Sequence, residues 1–365
     1  MAACTALASW LRLTLIAGIG GETQRKLLDV FGLPEAVFAA DRGALREVIG
    51  EKRSALLLAG SIEHAVHAAV EAACRWAEGV DQHVVTLADD DYPQALLEIP
   101  DPPTVLYVRG RVDLLNQPAL AIVGSRNPTP QGVLNAEAFA AVFADTGLVI
   151  ISGLALGIDA AAHRGALAAA GDTVAFIGTG IDRVYPARNR ELALAIGAHG
   201  AIVSEFPLGT PVAAANFPRR NRLISGCARG VLVVEATTES GSLITARLAA
   251  EQGREVFAVP GSIHSPQSRG CHRLIREGAK LVETAQDVLE ELRWHSAPSE
   301  RATTGPAADD DELLTLFGFD PCALDELAGR SGLSAEALSV KLLHLELDGR
   351  VASLPGGRYQ RLVKS

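Results

Sequence analysis

The chain has 365 residues, 48% hydrophobic and 21% charged. That length suits two or three domains of about 150 residues each, and the composition excludes disorder over most of it. The formal net charge of −10, from 33 basic and 43 acidic residues, disfavours in bulk a nonspecific polyanion binder.

By segment, residues 1–110 hold 9 basic and 15 acidic residues, a net of −6. Residues 111–292 hold 16 and 17, a net of −1, and residues 293–365 hold 8 and 11, a net of −3. The near-neutral middle, where 15 of 16 cations are arginine, stays open to a nucleic acid. Five scattered cysteines (Cys4, Cys74, Cys227, Cys271 and Cys322) form no CxxC pair. They argue against a disulfide framework or a zinc site and fit a reducing cytoplasm. The apolar stretch Leu7–Gly21 has no charged region before it, contains Arg12 and lacks a clean Ala-x-Ala site, so it is not expected to be a secretory signal. No apolar run reaches the roughly 18 residues of a membrane span.

Residues 1–85 read as helical, with apolar spacing near 3.6 and a turn at Ile16–Gly21 that resembles helix-hairpin-helix or SAM-like modules. A glycine turn of that kind can hold a phosphate on backbone N–H groups, or simply join two packed helices. Residues 86–117, broken by Tyr92-Pro93 and Pro100–Pro103, read as a connector that includes a strand at Thr104–Arg109.

From residue 118 the rhythm changes. Apolar runs at Leu120–Val123, Leu148–Ile151, Thr173–Ile177, Ala201–Val203, Val231–Val234, Glu255–Val259 and Lys280–Val282 alternate with helix-length segments. Short all-apolar strands alternating with helices predict a Rossmann-like, doubly wound α/β domain with a mostly parallel sheet. Ligands bind such sheets beyond the C-terminal strand ends, at a switch in strand order. Residues 293–312, with the run Asp309–Glu312, read as a linker. Two helices at 323–331 and 334–347, then a hairpin through Pro355-Gly356-Gly357, predict a winged helix over 313–365. The expected domains are therefore 1–85, 86–292, the linker 293–312, and 313–365.

The candidate binding residues cluster at strand ends. Gly124-Ser125-Arg126 follows the first strand of the doubly wound run, Ser152-Gly153 with Gly157 the second, and Gly178-Thr179-Gly180 the third. Glycine admits close backbone approach, while serine, threonine and arginine suit phosphate. None of these forms a G-x-G-x-x-G or P-loop fingerprint. Asn216-Phe217-Pro218-Arg219-Arg220-Asn221-Arg222 places three arginines in four positions beside an aromatic ring, with no acidic residue before Glu235. This suits phosphates and stacked bases, although arginines paired with carboxylates such as Glu205 would read the same way. Ser240-Gly241-Ser242 opens a helix, either as a phosphate site or as an ordinary cap. Asp159 and His163, at i and i+4, share a helix face as a metal pair or a helix-stabilising pair. Glu205 and Glu235, at strand ends, are general-base candidates without a matching acid.

Together these motifs closely resemble the DNA-processing protein A family (DprA, also called Smf). Besides the strand-end motifs, the likeness rests on Asp182 with Tyr185-Pro186, Leu243–Ala246, Val259-Pro260-Gly261 and Leu274-Ile275-x-x-Gly278-Ala279, in family order over 92–282. The sequence departs from the family at Leu156, where many members carry a basic residue, and at Cys271-His272. The pocket then depends on Arg126, Arg219, Arg220 and Arg222. The resemblance implies a non-enzymatic single-stranded-DNA binder without cofactor or metal, which protects incoming DNA in transformation, helps load the RecA recombinase and forms a homodimer through the Rossmann-like domain. It also maps the family's DNA pocket onto the Gly124–Arg126 and Phe217–Arg222 motifs. The alternative is a nucleotide or nucleoside-monophosphate hydrolase with Glu235 as its carboxylate, although the P-G-G-x-G-T-x-x-E signature of such enzymes is absent. In the winged helix, Glu336, Glu346 and Asp348 outnumber Lys341, which favours a protein contact over DNA reading.

Overall fold

A computed structural model describes residues 2–294, 312–318 and 320–363. Residues 295–311, which take in most of the expected linker and Asp309-Asp310-Asp311, lie outside the described residues.

The N-terminal part folds as helices Ala2–Leu15, Gly21–Phe31, Pro34–Ala39, Arg42–Gly60 and His64–Ala77. Gly50, at φ +79° and ψ 165°, breaks the fourth of these. Their apolar stripes bury Leu11, Leu13, Leu27, Leu45 and Leu57, which share one core with Val105, Tyr107 and Ile202 of the adjoining sheet. Each such side chain contributes about 1.5–3 kcal/mol on burial. Trp76 packs edge-on against Tyr107, with ring centres 5.8 Å apart.

The central sheet contains β1 (Gln82–Thr86), β2 (Val105–Gly110), β3 (Ala119–Val123), β4 (Val149–Ser152), β5 (Thr173–Phe176), β6 (Ala201–Ser204), β7 (Gly230–Val233), β8 (Glu255–Ala258) and β9 (Lys280–Leu281). Their order is β1-β2-β6-β5-β4-β3-β7-β8-β9. Strands β3 to β9 run parallel, while β2 pairs antiparallel with β6, and β1 antiparallel with β2. Thus β1 lies within the stretch expected to be helical, and the expected connector supplies β2. Only Val85 and Thr86 are buried in β1, so it lacks the apolar run that marks the inner strands.

Side chains alternate across the sheet as a period of two requires. Ala121, Val123, Ile151 and Val233 meet the helices Asn216–Cys227 and Ser242–Glu251 on one face. On the other, Leu120, Ile122, Ile150 and Leu232 meet the helices Pro130–Asp145 and Ile158–Ala168. The chain winds outward from β3 to β6, then returns to lay β7 on the opposite side of β3, with Val123 in register with Val233. The switch point therefore lies between β3 and β7.

The C-terminal unit has helices Glu312–Phe317, Leu324–Ser331 and Ala335–Leu347, with β10 (Cys322–Ala323), β11 (Val351–Leu354) and β12 (Arg358–Arg361) in the order β10-β12-β11. This is the expected winged helix. Ser334 caps the third helix through the Ala337 N–H. The Gln131 side chain bonds both backbone polar groups of Val363, at 2.9 and 3.2 Å, and so ties this unit to the start of the Pro130–Asp145 helix. Among the described residues no helix is long and apolar enough to cross a membrane.

Candidate nucleic-acid interface

The switch point opens into a cleft of about 530 Å³. One wall is the loop after β3, Gly124–Asn127; the opposite wall, after β7, includes Thr237, Ser240, Gly241, Ser242 and Thr245. The Ser125 N–H donates to Glu235 O at 2.7 Å and couples the two loops. Gly157 adopts φ +82°, and a Cβ there would collide with Ser125 O and Pro128. The β3 loop therefore rests directly on the helix that Gly157 precedes, with the Ile158 N–H donating to Ser125 O.

The floor is Arg220, 3% exposed. Its Nη1 donates to Gly153 O and Phe176 O, both at 2.5 Å, and its Nε to Asn221 Oδ1 at 3.1 Å. Burial pushes its pKa down to about 10, with the Asp159 carboxylate opposing the shift, so it stays cationic near neutrality. Gly153 is the residue that admits this guanidinium, because any Cβ there would overlap it. Asp159 accepts from the Gly153 N–H at 3.2 Å and faces the cleft. Burial raises its pKa, and Arg220 is the leading opposing influence.

At the lip, Arg126 is exposed, has no ion pair among the described residues, and lies over the Phe217 ring. Tyr185 lies beyond Phe217, with ring centres 5.9 Å apart, and Gly178 lies against the Phe217 ring. The helix Ser242–Glu251 starts at the cleft after Gly241, and its Ser242 N–H donates to the Ser240 hydroxyl at 3.4 Å. The Ser240 and Ser242 hydroxyls sit 2.7 Å apart beside it. An exposed cation, two adjoining aromatic rings tilted by 38° and a helix N-terminus with two hydroxyls can hold a phosphate next to a planar base.

The structure thus gathers Gly124, Ser125, Arg126, Phe217, Arg220, Asn221, Ser240, Gly241 and Ser242 around one cleft. Gly153, Gly157 and Gly178 shape its floor and walls. The other candidates make contacts within the protein. Ser152 is fully buried and donates to Ile122 O at 2.6 Å. Thr179 donates to Arg183 O, the Gly180 N–H to Thr210 O, and Asn216 Nδ2 to Gly178 O. Arg219 and Arg222 turn to the Glu205 carboxylate, at 3.1 and 2.6 Å. Thr245, from the motif that follows Ser242, also lines the cleft; Asn127, Thr237 and Gln267 line it too but escaped the sequence reading, since they lie outside its glycine and arginine motifs.

The proposed pairing of Asp159 with His163 does not form. His163 Nδ1 lies 2.7 Å from Thr173 Oγ1, whose own proton goes to Ile150 O, so Nδ1 carries the hydrogen. Burial takes the His163 pKa down to about 3 and keeps the ring neutral. Glu235 is not among the residues that line the cleft. Its two oxygens accept from the Thr129 N–H at 2.9 Å and the Thr129 hydroxyl at 2.7 Å, so the carboxylate braces the start of the Pro130–Asp145 helix.

Residues 83–293 match the protein family described as DNA recombination-mediator protein A, and residues 297–357 match the DprA winged helix domain. Protein Smf of Escherichia coli is 42% identical over 306 residues, 81% of this chain and 82% of that protein. DNA processing protein DprA of Streptococcus pneumoniae is 49% identical over 209 residues, 57% of this chain and 74% of that protein. The X-ray structure of the pneumococcal protein superposes with a TM-score of 0.70 at 39% identity, over 79% of this chain and 99% of that one. A Helicobacter pylori DNA processing protein A structure, solved for its single-stranded-DNA binding mode, gives a TM-score of 0.54 at 31% identity, over 58% of this chain and 98% of that one.

Fold and cleft define a Rossmann-type protein with a crevice at the switch point, flanked by a helical module and a winged helix. The chain belongs to the DNA recombination-mediator protein A family, DprA/Smf.

Proposed function

We propose that this chain binds single-stranded DNA, independently of sequence, in the cleft between β3 and β7. The observation that carries the reading is Arg126, exposed and without an ion pair among the described residues, over Phe217 and across the cleft from the Ser240–Ser242 helix start. Phosphates meet Arg126 and the Ser242 helix start, while Arg220 lies in the floor beside Asp159. A base stacks on Phe217, because stacking accepts every base. Arg219 and Arg222 act from beside the cleft. The H. pylori relative, solved for its single-stranded-DNA binding mode, supports the same ligand class.

The finer reading is a cytoplasmic homodimer, joined through the Rossmann-like domain, that shields incoming DNA during transformation and helps load RecA. Measured against oligo-dT and a duplex of equal length, the chain binds the single strand more tightly; equal or stronger duplex binding overturns the reading. Faster RecA assembly on single-stranded DNA in its presence tests the loading role. Mass in solution tests the dimer.

A further inference from the structure

The helix that carries Phe217 and Arg220 is also held from outside the α/β domain. Glu205 follows β6 directly, and its side chain is 1% exposed. Its Oε2 accepts from Arg222 Nη2 at 2.6 Å and from Arg219 Nη2 at 3.1 Å. Arg222 reaches the other way, its Nε 3.2 Å from Asp101 Oδ2 in the proline-rich segment before β2. Asp101 Oδ1 accepts from Arg25 Nη1 at 2.5 Å, on the N-terminal helix Gly21–Phe31, and Arg25 also donates to Pro102 O at 3.1 Å. The charges alternate along Arg25, Asp101, Arg222, Glu205 and Arg219. The inner members Arg222 and Glu205 are nearly sealed from solvent, while Arg219, at the far end, is about half exposed beside the cleft residues Pro218 and Arg220.

We infer that this chain of ion pairs makes Asp101 and Glu205 positioning residues for Arg219, so that the N-terminal helical module sets the strength of DNA binding at the cleft. Asp101 is about half exposed, whereas Arg222 and Glu205 are nearly sealed, so removing Asp101 leaves the enclosed Arg222 one carboxylate short, and its neighbours rearrange to meet it. Without Asp101, Arg222 draws on Glu205 alone, and Arg219 loses the carboxylate contact that fixes its side chain. A fixed arginine binds phosphate with less loss of side-chain freedom than a loose one. The inference rests on the proposed cleft reading and extends it to a module outside the cleft.

The sign of one substitution separates positioning from simple charge. Asp101→Asn removes a negative charge, so a through-space effect would tighten binding to a polyanion. Positioning predicts weaker binding of oligo-dT by the full chain, by about 2- to 30-fold, the span of couplings carried by packed networks. It also predicts recovery with Asp101→Glu and no further loss when Asp101→Asn is added to Arg219→Ala. Binding that is unchanged or tightened by Asp101→Asn, or losses that add in the double variant, overturn the inference. If Asp101→Asn fails to fold, Arg25→Ala takes its place in the same cycle, with loss expected alone and none beyond Arg219→Ala. If Arg219→Ala binds like wild type while Arg126→Ala does not, the cleft reading stands and this inference falls. A wild-type chain that ignores oligo-dT removes both.

Discussion

The Arg126 guanidinium lies over the Phe217 ring, 5.3 Å from its centre, and so joins the β3 loop to the helix that floors the cleft. The contact supports a clear division of labour, with charge from one residue and a stacking plane from the other. Replacing Phe217 by Ala should cost about 1–3 kcal/mol of oligo-dT affinity, the worth of one stacked base. The salt dependence should change little, since no phosphate contact is removed. Phe217→Tyr should keep most of the affinity. Fluorescence anisotropy at several salt concentrations separates these outcomes.

Gly153 is predicted to tolerate no side chain. In Gly153→Ala the new methyl group occupies the space of the Arg220 guanidinium. Arg220 must then leave the Gly153 and Phe176 carbonyls. Thermal unfolding should show a loss of about 1–3 kcal/mol for the stranded polar groups, together with weaker DNA binding. A variant as stable as wild type would mean that Arg220 has another seat.

His163 makes the fold sensitive to mild acid. Its folded pKa of about 3 lies below the unfolded value near 6.5, so protonation favours the unfolded chain. Stability from this group is present above about pH 6.5 and is lost as pH falls toward 3. Between pH 7.5 and 5 the loss amounts to about 2 kcal/mol. Denaturant midpoints for wild type and His163→Asn at the two pH values should show a smaller acid loss in the variant.

Glu235 is predicted to be a brace. Glu235→Gln keeps the shape but weakens the charge-assisted bonds from Thr129, and should lower stability by about 1–2 kcal/mol. Neither protein should release base from nucleoside monophosphates. Release that depends on Glu235 would restore the hydrolase reading.

Much of this architecture is legible in the residues. The strands β3 to β8 carry short apolar runs because helices cover both faces. The edge strand β1 is not legible, since Gln82 and His83 keep solvent contact. The cleft is legible in outline, because glycine and hydroxyl residues recur at successive strand ends. The arginine cluster misleads in detail. Arg219 and Arg222, three residues apart, share one side of their helix and converge on Glu205, whereas Arg220 points about 100° away into the floor. Glu205 is named by the sequence as a possible partner of the cluster, but helical spacing alone does not assign it to Arg219 and Arg222, because Glu205 lies on a different element. The net charge of −10 is equally uninformative about the site, where Arg126 has no carboxylate paired with it among the described residues.

The salt dependence of oligo-dT binding by wild type and Arg126→Ala tests the central claim most directly. Each lost phosphate contact lowers the log–log slope for a single strand by roughly 0.7. The cleft assignment predicts weaker binding by Arg126→Ala with a slope shallower by about that amount. Equal affinity and an unchanged slope would contradict it.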